Sequence, residues 1–163
     1  VELENLARKS AWPGVDRTFK ELEALGLPLS LADYLLGAQA AIQGGDLFLG
    51  LSRVQIGLAA STADEDPNSP YSRAKELATS IESRFGQVRI SLGTKKTCIP
   101  VLMLSPLPFA EDERVAFEQA RKRIQEDRSF TGLLPAGSYK IDANSFSVEA
   151  GQPMQAVDLC KEK

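Results

Sequence analysis

The residues that could do chemistry in this chain are few, because it has no histidine. That removes Ser-His-Asp and Cys-His nucleophilic catalysis, zincin-type metal sites and imidazole pH switching. Carboxylate, lysine and tyrosine chemistry remains. Asp64-Glu65-Asp66 and Glu111-Asp112-Glu113 are the two acidic runs. A hard cation wants such oxygen ligands, but neither run has the Asp-x-Asp-x-Asp-Gly spacing of a calcium loop. The first precedes Pro67 and reads as a solvated loop. The second fits the positive end of a helix dipole. Pairing carboxylates across the fold would build a general acid and base, a chemistry the sequence permits without showing the separation it needs.

Glycines and cations add little. Gly44-Gly45, Gly50 and Gly57 form no Gly-x-Gly-x-x-Gly after a strand, and Gly93-Thr94-Lys95 lacks the upstream half of a phosphate-binding loop. Arg121-Lys122-Arg123, with Lys95 and Lys96, is the densest basic set, but a formal net charge of -3 argues against a dedicated nucleic-acid binder. Strands expected at Arg53–Leu58, Val88–Leu92 and Cys98–Leu104 hold no aromatic on which a base could stack. No cofactor is expected, and nucleic acid is an unfavoured partner. Cys98 and Cys160 are too few for a secreted disulfide scaffold. They read first as reduced packing residues; the alternative is a mutual disulfide, should the last strands pair with the Cys98 strand.

These residues must be positioned by elements read from hydrophobic period. After a break at Trp12-Pro13-Gly14, Val15, Phe19, Leu22 and Leu25 give a helix that Gly26 closes. Ser30 and Asp33 have capping spacing for a helix over Leu31 to Gln43, ended by Gly44-Gly45. Arg53 to Leu58 alternates polar with apolar and predicts a half-buried strand. Helices are expected over Tyr71 to Phe85 and Glu111 to Arg128, and a strand over Gln87 to Leu92. Cys98 to Leu104 predicts a doubly covered strand in which Pro100 favours a sheet edge. Beyond Leu133, short alternating runs predict two or three antiparallel strands.

From Leu51 the expected order is strand, helix, strand, strand, helix, strand. The predicted class is α+β, a two-layer sandwich with a mixed or antiparallel sheet, helices mainly on one face in split βαβ order, and an N-terminal helical pair. At 163 residues, with 43% apolar and 25% charged residues, the chain fits one globular domain. Residues 1–45 would be its helical subregion and 46–163 its sheet-containing core. No apolar run reaches membrane-spanning length. The opening Val1-Glu2-Leu3 is neither a signal nor a transit peptide, and without Met the chain reads as a mature product or a fragment, with the cytoplasm slightly favoured.

Trp12, Tyr34 and Phe48 give the N-terminal third much apolar surface: they read first as covering the sheet or one another, and they are the candidate interface residues where exposed, homodimerisation included. The favoured function is a non-enzymatic interaction, adaptor or structural module, self-association included. A ligand-binding sensory or regulatory domain is the second reading. A hydrolase or isomerase working without histidine is the third.

Overall fold

Ser30 begins where the sequence is clearest. In the computed structural model, which describes residues 2–162, its hydroxyl accepts the Asp33 N–H at 3.2 Å and the Asp33 carboxylate accepts the Ser30 N–H at 2.9 Å. This reciprocal box starts a helix over Leu31–Gln43, as expected. The class is α+β. The chain divides into two compact units, Val1–Ser80 and Ile81–Lys163.

The first unit is helical: α1 (Glu2–Arg8), α2 (Trp12–Ala24), α3 (Leu31–Gln43), α4 (Leu47–Ala59) and α5 (Pro70–Glu82), whose last turn crosses the boundary between units. Two expectations are corrected here. Trp12-Pro13-Gly14 is the first turn of α2, where proline is tolerated because its missing N–H would be unbonded anyway. Arg53 to Leu58 is not a strand but lies in the second half of α4. Six alternating residues match either period; the longer window, with Leu47, Gly50, Leu51, Val54, Gly57 and Leu58, repeats every three to four residues. Asp46 caps that helix by accepting the Leu49 N–H at 2.9 Å. The helical region therefore runs well past residue 45, and the first strand of the split βαβ order is absent.

Glycine sets the spacing of these helices. A Cβ on Gly57 would lie 2.7 Å from Tyr34 Cβ, and one on Gly50 would lie 2.6 Å from Ile42 Cγ1. Glycines seven residues apart on one face of α4 thus let α3 and α4 approach closely. Leu3, Val15, Phe19 and Ala40 form a buried cluster where α1, α2 and α3 meet.

The second unit holds β1 (Phe85–Leu92), β2 (Leu102–Leu104), α6 (Glu111–Asp127), β3 (Ser129–Pro135), β4 (Gly137–Ile141), β5 (Asn144–Val148) and β6 (Gln155–Leu159). They make two three-stranded sheets ordered β3-β1-β6 and β2-β4-β5, with only Ala136 between β3 and β4. The expected Tyr71 to Phe85 helix ends at Glu82, and Phe85 opens β1. Of the expected strand from Cys98 to Leu104, only the last three residues are strand, since Pro100 cannot donate to a ladder. The β4–β5 hairpin is antiparallel as expected, but β6 runs parallel to β1, with Ile90 opposite Val157. The turn before β6 imposes this direction. Gly151, at φ 74°, donates its N–H to Phe85 O at 2.9 Å, and the Gln152 amide donates to Gln87 O at 3.2 Å. Val88, Ile90, Leu102, Phe117, Ile124, Leu134 and Ile141 fill the core.

Candidate interaction surface

Each residue singled out from the sequence has a definite place. Trp12 and Tyr34 are partly buried and pack on the helical core. Tyr34 meets the Phe19 ring edge-on, with centroids 5.5 Å apart. Phe48, in the first turn of α4, is also only partly buried. The three lie on three different helices, Trp12 on α2, Tyr34 on α3 and Phe48 on α4.

Asp64 and Asp66 accept backbone N–H groups two residues on, at 3.0 and 2.9 Å, which shapes their loop. No cluster of metal-ligating side chains occurs among the described residues. Asp112 holds the Arg84 guanidinium through both carboxylate oxygens, at 2.7 and 2.9 Å. Arg121, Lys122 and Arg123 pair along α6 with Glu118, Glu126 and Asp127. The basic run is therefore a charge-laced helix face.

Cys98 and Cys160 are joined by a disulfide, with Cα atoms 5.8 Å apart. The bridge does not arise from pairing of their strands, because Cys98 lies outside any strand. It ties the loop after β1 to the residue following β6. Parallel pairing of β6 with β1 brings them together: Gly93, next after β1, donates its N–H to Leu159 O at 2.8 Å.

In the helical unit the sequence reading passed over a buried arginine. Arg53 is 3% exposed. Its Nη1 donates to Asp16 Oδ1 at 2.6 Å and to Gly37 O at 2.7 Å, and the guanidinium lies 4.5 Å from the Phe19 ring centroid. Burial of Asp16 raises its pKa, but hydrogen bonds from Lys20 and Arg53, with their charges, outweigh this and hold it below its ordinary 3.8. The pair is a staple across α2, α3 and α4. Reading Arg53 as a strand residue hid it; placed on a helix, it falls on the same face as Gly50 and Gly57.

Leu25, Leu27 and Ile56 are exposed on the helical unit, but the larger group of exposed apolar side chains lies in the second unit. Ile99, Met103, Leu107, Phe109 and Val115 are all exposed, and all fall in the segment that leaves β1 and enters α6. Phe109 is 99% exposed, in a Ser105-Pro106-Leu107-Pro108 surrounding that keeps it out of any element. Prolines on both sides of Leu107 limit the conformations this apolar loop samples. The sequence signal for it was present: Leu107 between two prolines and Phe109 after the second, just before an acidic helix start.

Beside it, the β2-β4-β5 sheet carries an open groove of about 480 Å³ lined by Met103, Ser138, Tyr139, Lys140, Ser145 and Phe146, with Ser105 and Ser147. Register explains the lining. Met103 stands opposite Lys140 and Lys140 opposite Ser145, while Ser138 stands opposite Ser147. Tyr139 points the other way, stacked on Phe146 with centroids 5.4 Å apart. Its hydroxyl donates to Pro135 O at 2.6 Å. Burial, then the nearby Glu113 charge, push its pKa above the ordinary phenol value of 10.0, so it stays protonated. No carboxylate lines the groove. Its lining offers hydroxyls, one ammonium and apolar surface.

Comparison of the chain with known protein families, with curated proteins and with solved structures finds no match.

Proposed function

We propose that the chain is a protein-interaction module whose second unit presents the binding surface. The observation that carries this reading is Phe109, a large apolar side chain left 99% exposed directly after Pro108, with Leu107 exposed between Pro106 and Pro108. Burying a phenylalanine against a partner contributes about 2–3 kcal/mol. Exposed aromatic anchors on a constrained loop are the usual centres of such interfaces. The disulfide adds the setting: a bridge between two nearly buried cysteines persists in an oxidising compartment, which replaces the cytoplasm as the favoured location.

The test places a photo-crosslinking phenylalanine analogue at position 109 and, as control, at exposed Gln39 in α3. Crosslinking in extract of the source cells should give a discrete species from position 109 that Leu107→Ser removes. The same products from both positions would refute the assignment. The groove favours a second reading, a small-ligand domain. A saturable thermal shift on adding one compound class, abolished by Lys140→Ala, would support that instead.

A further inference from the structure

The structure has four sheet edges, and they are not equally protected. Edge strands avoid unwanted pairing by being short or by carrying proline or charge. β2 is three residues long, between Pro100 and Pro106. β3 is buried over its last four residues and ends on Pro135. β6 carries the exposed Asp158. β5, Asn144-Ser145-Phe146-Ser147-Val148, has neither charge nor proline and, at five residues, is longer than the three-residue β2. Asn144, Ser145 and Ser147 are exposed, and β4 is its sole ladder partner among the described residues. Its central Phe146 is partly buried, stacked on Tyr139 and packed against the core.

The ends of this strand select the partner. Asp142 precedes it and Glu149 follows it. Both are exposed, and neither is in an ion pair among the described residues. Two copies pairing antiparallel about Phe146 would bring Asp142 of one beside Glu149 of the other, so like charges oppose self-pairing. We infer that β5 is a strand-addition site for an extended polypeptide segment with an uncharged, alternating centre of about five residues and a basic residue at each end. This rests on the interaction reading for its class alone and uses a different surface from the Phe109 loop.

Main-chain hydrogen bonds along β5 would supply affinity, and side chains the selectivity. Every second residue of the segment falls beside Phe146, where a β-branched apolar side chain completes the cross-strand row. The others fall beside Ser145 and Ser147, continuing the hydroxyl and Lys140 face of the groove. Basic ends then meet Asp142 and Glu149.

The probe is a fluorescent peptide of five alternating valine and threonine residues with one lysine added at each end, titrated with the full chain and followed by anisotropy. A glutamate-ended counterpart is the control. The lysine-ended peptide should bind at least fivefold more tightly, and the preference should shrink with added salt. Asp142→Asn with Glu149→Gln should weaken it roughly fivefold, since two exposed ion pairs are lost. Asparagine tolerates the left-handed conformation at position 142, where φ is 53°, so the fold is kept; an unchanged melting curve checks this. Phe109→Ser should leave peptide binding unchanged. Equal affinity for both peptides, or none at 1 mM (about 1,000 times a tight-binding regime of 1 μM), would overturn the inference. So would binding lost in Phe109→Ser yet kept in the double variant, which would assign the peptide to the loop. A dimer that the peptide dissociates would assign the edge to a second copy and overturn it too.

Discussion

Removing the Asp16 carboxylate should leave a charge in the helical core with nowhere to go. Arg53 is 3% exposed, while the Asp16 side chain is 25% exposed. In Asp16→Ala the guanidinium keeps only the Gly37 carbonyl, at 2.7 Å, and the face of Phe19. Its Nε already has no partner among the described residues. Breaking a buried ion pair by deleting one member costs about 3–5 kcal/mol. Water reaches this pair from the Asp16 side, so the lower end applies, about 3 kcal/mol. Lys20, whose side chain is 58% exposed, loses a surface partner and adds next to nothing.

The assay is urea or thermal unfolding followed by Trp12 fluorescence. Trp12 is the only tryptophan, and it packs on the core that the pair staples, so its signal reports on this unit. For a unit of this size the melting point should fall by roughly 12 °C or more. Adding Arg53→Met to Asp16→Ala should recover much of the loss, because it removes the stranded charge. The pH dependence has a definite sign. Asp16 is held below its ordinary value of 3.8 in the folded chain, so its contribution is complete above that value. It is lost as pH falls from 3.8 through the lower folded value, and Asp16→Ala should lack this acid-side loss. An Asp16→Ala cost under about 1 kcal/mol, or a double variant no better than the single one, would refute the reasoning.

Two further outcomes follow from the packing. Reducing the Cys98–Cys160 bridge, or replacing both cysteines by serine, releases a loop of sequence separation 62. Loop-closure entropy puts the loss at about 4 kcal/mol, read as the difference between unfolding curves with and without reductant. Gly57→Ala improves helix propensity by about 1 kcal/mol. Its Cβ would nevertheless lie 2.7 Å from Tyr34 Cβ, so overpacking of about 1–3 kcal/mol should make the variant no more stable than wild type, as measured by denaturant midpoint.

Much of this architecture was legible from local signals. Ser30 with Asp33, the stripe Val15 and Phe19, and the acidic opening of α6 each act within one or two turns of chain, and each element formed where it was expected. The α+β class followed from counting such periods. Errors arose where a short window fitted two periods, as at Arg53 to Leu58, or where direction depended on a partner far away, as for β6 against β1. The candidate surface was less legible. Trp12, Tyr34 and Phe48 attracted notice because they are large and apolar, but size does not reveal what covers a side chain. Tyr34 turns out to be packed on Phe19, while Phe109, unremarkable by composition, is bare.

By itself, then, the sequence determined the helices α2, α3, α5 and α6 and the strand β1, because capping and periodicity are carried by neighbouring residues. It also removed histidine chemistry outright. Only the tertiary structure decided that Cys98 meets Cys160, that Arg53 is buried against Asp16, and that β5 has a bare, uncharged edge between two carboxylates. Each of these depends on residues brought together from distant parts of the chain, where pairing and burial, not local preference, determine the outcome.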